Sequence, residues 1–131
     1  MARTVAGIDS TEVARGREIT KVYEGGERVS DHVVVWEFWV RSGEQDRFEE
    51  IYGSQGDWAR LFVLDPAYRG TRLVRDVQEP RRYLTLDLWA SREAYKAFRE
   101  KHAAEYLALD RECANLTESE REIGRFSDLP S

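Results

Sequence analysis

Two side chains in this sequence stand out as candidates to move a proton, Glu37 and His102, and a third acid, Asp87, as a candidate to hold a substrate. Glu37 stands between Trp36 and Phe38. A strand face that excludes water would raise its pKa and suit it to act as a general base toward a phenol, whereas a wet face or pairing with Arg75 would leave it an ordinary acid. Asp87 shares a period-two face with Tyr83, Thr85 and Trp89, where it would orient a substrate hydroxyl or pair across strands with Arg72 or Arg75. His102 falls in an apolar helical stripe. With an unperturbed pKa near neutrality it reads either as a satisfied core histidine or as a proton carrier at a cavity edge. Trp39, Tyr83 and Trp89 offer flat walls that would hold an aromatic molecule or pack one subunit on another. Arg75 would stabilise an anion or balance Glu37 or Asp87.

The elements that must position these groups follow from periodicity. Val33 to Val40 is rich in β-branched and aromatic residues and reads as a strand, with Val34, Trp36, Phe38 and Val40 on one face and Val33, Val35, Glu37 and Trp39 on the other. A helix is expected from Ser42-Gly43 to Tyr52, and a second, short one from Asp57, with Trp58, Leu61 and Phe62 at helical spacing. Gly70 to Val77 alternates as a strand, and Gln78-Glu79-Pro80-Arg81 supplies a turn. Tyr83 to Trp89 returns antiparallel. Its aliphatic side, Leu84, Leu86 and Leu88, is expected to carry the core, leaving Tyr83 and Trp89 with Trp39 on a second sheet face that something else must cover. Ser91 caps a helix with Glu93 in its first turn; its stripe runs Tyr95, Phe98, His102, Tyr106, Leu109 and Cys113. Glu120 to Ser127 reads as a last strand. The order is strand, helix, strand, strand, helix, strand. This predicts an α+β, ferredoxin-like βαββαβ fold with a four-stranded antiparallel sheet and helices on one face. Two copies meeting sheet to sheet would cover the other face and enclose a cavity.

Composition narrows the function classes. The chain has 131 residues, which suits one folded domain; 41% are hydrophobic and 34% charged, which argues for a globular protein over a disordered one. Residues 1–30, rich in glycine and charge without a sustained period, read as an N-terminal extension, and 31–131 as the domain. A net charge of −5, with no basic run among aromatics, gives no reason to expect nucleic acid. The apolar runs Val33 to Trp36 and Leu61 to Leu64 are too short to span a membrane, and no apolar leader is seen, so a cytoplasmic location is expected. Cys113 is the only cysteine, which rules out an internal disulfide and suits a small buried hydrophobe. His32 and His102 are too far apart for metal-ligand spacing, and no glycine-rich loop follows a strand, so no metal, nucleotide or flavin site is expected.

Three segments resemble the antibiotic biosynthesis monooxygenase family, of the dimeric α+β barrel group: Val33-Val-Val-Trp-Glu-Phe-Trp-Val40 leading into Gly43 to Glu50, Gly70-Thr-Arg-Leu-Val-Arg75, and Tyr83-Leu-Thr-Leu-Asp-Leu-Trp-Ala-Ser91 with its aromatic-bearing helix to Phe98. The similarity covers about residues 33–127. The resemblance implies a homodimeric barrel and a small oxygenase that needs neither metal nor flavin. In such an enzyme an electron-rich phenol, deprotonated in the cavity, itself donates an electron to dioxygen, and the protein stabilises an anion and excludes water. Family members often place an Asn, a Trp and a His around the cavity; Trp89 matches the Trp, His102 is the candidate His, and the only asparagine is Asn115. On this reading Glu37 or His102 removes the proton, Trp39, Tyr83 and Trp89 hold the ring, Asp87 orients it and Arg75 stabilises the anion. Haem degradation, which needs a histidine facing the cavity, and a non-catalytic, ligand-binding or self-associating dimer are the alternatives.

Overall fold

The computed structural model describes residues 30–129, so the extension expected over 1–30 lies outside the described residues save Ser30. The elements are β1 (His32–Val40), α1 (Gln45–Tyr52), α2 (Asp57–Phe62), β2 (Tyr68–Arg75), β3 (Arg82–Trp89), α3 (Arg92–Lys101), α4 (Ala103–Glu112) and β4 (Thr117–Phe126). The sheet order is β2-β3-β1-β4, and every neighbouring pair is antiparallel. This is the expected ferredoxin-like α+β arrangement. The edge strand β4 is heavily charged, with Glu118, Glu120, Arg121, Glu122 and Arg125 in ten residues.

Local chemistry explains the joints. The Ser91 hydroxyl accepts a hydrogen bond from the Ala94 N–H at 3.0 Å and starts α3. Gly43 turns the chain out of β1 at φ +90, a conformation that costs glycine nothing. Gly56 brings the start of α2 against the end of α1 so closely that a Cβ there would lie 2.3 Å from the Ile51 carbonyl oxygen. In the β2–β3 turn the Asp76 carboxylate accepts from the Gln78 and Glu79 N–H groups at 2.7 and 3.1 Å. Those backbone donors, with Arg82, hold its pKa below the usual carboxylate range.

The long helix expected from Ser91 to Cys113 is two helices that meet at His102, where the backbone opens to φ −111, ψ 32. The helical hydrogen bonds run through the joint, from His102 N–H to Phe98 and from Tyr106 N–H to His102, both at 2.9 Å. The apolar stripe therefore survives: Tyr95, Phe98, Tyr106 and Cys113 are all buried. Burial raises the Cys113 thiol pKa.

The expected division of the sheet faces is reversed on β3. Val34, Trp36, Phe38 and Val40 of β1 do belong to the core cluster with the helices. In register, however, Trp36 lies opposite Thr85, Phe38 opposite Tyr83 and His32 opposite Trp89. Opposed residues in an antiparallel ladder share a face, so Tyr83, Thr85, Asp87 and Trp89 face the helices and Leu84, Leu86 and Leu88 do not. Tyr83 and Trp89 are fully buried within the chain, at 1% and 0% exposure, whereas the three leucines are half-buried. Alternation alone shows which residues share a face; cross-strand register decides which face the helices cover. The helical side takes the large rings because Phe48, Tyr52, Trp58, Phe62, Tyr95 and Phe98 come down to meet them, and aromatic pairs fill that gap with centroids 4.1–6.4 Å apart.

Candidate functional site

Most of the buried polar side chains of the sheet converge on the helix-facing side of β1, β2 and β3. Asp87, 2% exposed, accepts a hydrogen bond from the Thr71 hydroxyl at 2.8 Å; the two stand opposite each other across the β2–β3 ladder. The Tyr68 hydroxyl lies 2.5 Å from the same Thr71 oxygen. Thr85, 1% exposed, precedes Asp87 on this face. Trp89 follows, enclosed by Phe62, Tyr68, Tyr95 and Phe98 at ring distances of 5.1–5.5 Å. Its indole N–H is buried and has no hydrogen-bond partner among the described residues. An orphaned buried donor costs about 1–3 kcal/mol, so such groups in a native fold call for an acceptor.

His32 belongs to the same side. It is fully buried, 5.5 Å from the Tyr95 ring, with Nε2 3.3 Å from a guanidinium nitrogen of Arg125. Arg125 is also clamped by Glu122 through bonds of 2.8 and 3.2 Å, and its side chain is only 4% exposed. A guanidinium donates only, so this contact is a hydrogen bond when His32 Nε2 is the unprotonated nitrogen.

The other expected site residues are dispersed. Glu37 lies on the helix-free face, as does the half-buried Trp39. Glu37 takes one guanidinium on each carboxylate oxygen, from Arg121 at 2.8 Å and Arg82 at 2.6 Å. The Arg121 hydrogen bond, then that of Arg82, outweighs desolvation and lowers its pKa, the opposite of the shift expected for a general base. Arg75 meets neither Glu37 nor Asp87. It pairs with Glu49 of α1 at 3.1 Å, and the same Glu49 oxygen accepts the Tyr83 hydroxyl at 2.6 Å. Burial first, and Glu49 second, raise the Tyr83 pKa. His102 sits at the α3–α4 joint with its ring on Phe98, which separates it from Trp89, and with Nδ1 3.5 Å from Glu105. The structure thus brings together Asp87 and Trp89 of the expected set. It adds Tyr68, Thr71 and His32, to which the sequence pattern assigns no chemistry. Their signals were present: His32 has the parity of Trp36, and a glycine inside a strand pattern, Gly70, marks a bulge.

A depression of about 320 Å³ lies between α1 and α2, lined by Arg47, Glu50, Ile51, Gln55, Asp57 and Arg60. None of the expected site residues reaches it. Among the described residues no group of three His, Cys, Asp or Glu is arranged to hold a metal, and no helix is long and apolar enough to cross a membrane.

Residues 31–108 match the sequence pattern of the antibiotic biosynthesis monooxygenase family. The chain belongs to that family. Solved structures agree on the fold. SnoaB, a cofactor-independent oxygenase from Streptomyces nogalater, is similar with a TM-score of 0.58 and 18% identity over 72% of this chain and 89% of its own. A protein of Shewanella oneidensis gives 0.56 and 16% over 77% and 95%, and one of Pseudomonas aeruginosa 0.56 and 11% over 80% and 100%. No curated protein matches the sequence. At these identities the likeness concerns architecture, and the chemistry of this antibiotic biosynthesis monooxygenase domain must be argued from its own residues.

Proposed function

We propose that this protein is a small-molecule monooxygenase that oxidises an electron-rich phenol, of aromatic or polyketide type, without metal or flavin. Its site lies between the sheet and the helices. The observation that carries the reading is the pairing of a buried carboxylate, Asp87, with the unsatisfied indole N–H of Trp89 two residues along the same face. A phenol placed there would give its proton to Asp87 while its oxygen accepts from Trp89, and the surrounding rings would hold its plane. Electron transfer from the resulting anion to dioxygen needs no group from the protein beyond that stabilisation. This moves the base from Glu37 and His102 to Asp87 and keeps Trp89 and Tyr83 as walls. The helix-free face, with the half-buried Leu84, Leu86, Leu88 and Trp39, is the surface through which two copies pair.

The test uses dithranol, a polycyclic phenol, with dissolved oxygen measured at an electrode. The wild type consumes oxygen above the uncatalysed rate, and Asp87→Asn loses about 100-fold or more in kcat. Uptake equal to the blank, or unchanged in Asp87→Asn, refutes the reading. The close packing of four rings around Trp89 favours one competitor, a non-catalytic dimer in which that indole is purely structural. In that case dithranol neither binds nor turns over.

A further inference from the structure

We propose that Thr71 and Tyr68 form a two-hydroxyl relay that orients the Asp87 carboxylate and carries the proton it accepts to the protein surface. The inference rests on Asp87 being the group that receives the proton of a bound phenol.

The placement of Tyr68 is the first argument. In a regular strand, residues three apart point to opposite faces. Tyr68 and Thr71 nevertheless share the helix-facing side, because the register slips by one residue between Tyr68, opposite Trp89, and Gly70, opposite Leu88. Gly70 makes the slip possible with φ +134, a backbone state that side-chain-bearing residues rarely adopt. Without this bulge the Tyr68 hydroxyl would leave Thr71. Bulges of this kind re-aim single side chains beside active sites.

The direction of the hydrogen bonds is the second argument. Thr71 has one hydroxyl proton and donates it to Asp87 at 2.8 Å. Its oxygen is then the acceptor for Tyr68 at 2.5 Å. The chain begins at a half-buried tyrosine, passes a threonine 8% exposed and ends at a carboxylate 2% exposed. Each hydroxyl both donates and accepts, so the chain can reverse by rotation of two O–H bonds. In the forward step the phenol O–H breaks and an Asp87 O–H forms. On discharge the Asp87 O–H breaks. Thr71 and then Tyr68 each take a proton on the inner side and release one on the outer side, and the last proton passes to water. Both hydroxyls end as they began. Among the described residues the other ionisable groups buried on this side are His32, Tyr52, Tyr83, Tyr95, Tyr106, Asp110 and Cys113, with Glu122 and Arg125 at its β4 edge, and no step of the relay calls on them.

The experiment measures dithranol turnover by full-length protein across pH, in light and heavy water, for wild type, Thr71→Val, Thr71→Ser and Tyr68→Phe. The relay predicts that Thr71→Val loses about tenfold or more in kcat with KM within about threefold, and shifts the pH profile of kcat. Thr71→Ser, which restores the hydroxyl, recovers the wild-type profile. Tyr68→Phe lowers kcat less and changes the solvent isotope effect. Formate added to Asp87→Ala restores part of the rate. Should Thr71→Val not fold, Tyr68→Phe is read in its place. A wild type that turns over dithranol beside a Thr71→Val or Tyr68→Phe with the same kcat, pH profile and isotope effect overturns the relay and leaves the proposed oxidation standing. A wild type that does not turn over dithranol overturns both.

Discussion

Glu37 and Asp87 are both buried acids on one sheet; the hydrogen bonds described for Glu37 come from guanidinium groups and the one described for Asp87 from a hydroxyl. Glu37, on the helix-free side, is held by Arg82 and Arg121. Guanidinium groups do not release protons at any ordinary pH, so that carboxylate is fixed in charge and in place. Asp87, on the helical side, is held through a hydroxyl that itself accepts from another hydroxyl. Hydroxyls fix geometry and still pass protons. The first arrangement is suited to structure and the second to chemistry, although burial alone would rank the two acids alike.

The comparison breaks most visibly at Trp89. Replacing this fully buried indole by alanine is expected to cost about 3–5 kcal/mol in chemical denaturation. Trp89→Phe should cost less and spare the fold. A near-neutral Trp89→Ala would mean that the ring is not part of the packed interior. On the other side of the sheet, Leu86→Lys should leave circular dichroism unchanged. It should weaken self-association at least tenfold, about 1.4 kcal/mol, by sedimentation. Equal association of variant and wild type would place any dimer elsewhere.

Glu37 sharpens the contrast through pH. Its folded pKa lies below the unfolded value, so its contribution is present above the unfolded carboxylate pKa and is lost as pH falls through the folded one. Glu37→Gln should therefore destabilise by about 1–2 kcal/mol at neutral pH, less than for a fully buried pair because Arg121 is mostly exposed. The gap to wild type should close at pH values well below the usual carboxylate range, as followed by urea melts in each buffer. The smallest effect expected is at the α3 cap, where Ser91→Ala should cost about 1 kcal/mol and leave both faces alone.

Much of the fold was legible because it depends on local periodicity. The alternation of Val33 to Val40, the spacing of Tyr95, Phe98 and Tyr106, and the Ser91 cap each led to the element observed. The site was less legible because it depends on register. Alternation groups Tyr83, Asp87 and Trp89 on one face, but only pairing with β1 shows that this face looks toward the helices. Arg82 and Arg121 are far from Glu37 in sequence and reach it only through the two ladders that flank β1. The alternation that marks β2 begins only at Gly70, because the bulge that aims Tyr68 interrupts the pattern before it.

The charges of β4 bear on how copies of the chain behave in a crowded solution. A strand rim offers unsatisfied amide and carbonyl groups that invite another chain to extend the ladder, which is the route to fibrils. Glu118, Glu120 and Arg121 set mixed charges along that rim, Glu118 and Arg121 in solvent and Glu120 half-buried. A concentrated stock should accordingly stay clear, and neutralising those three positions should make it turn turbid.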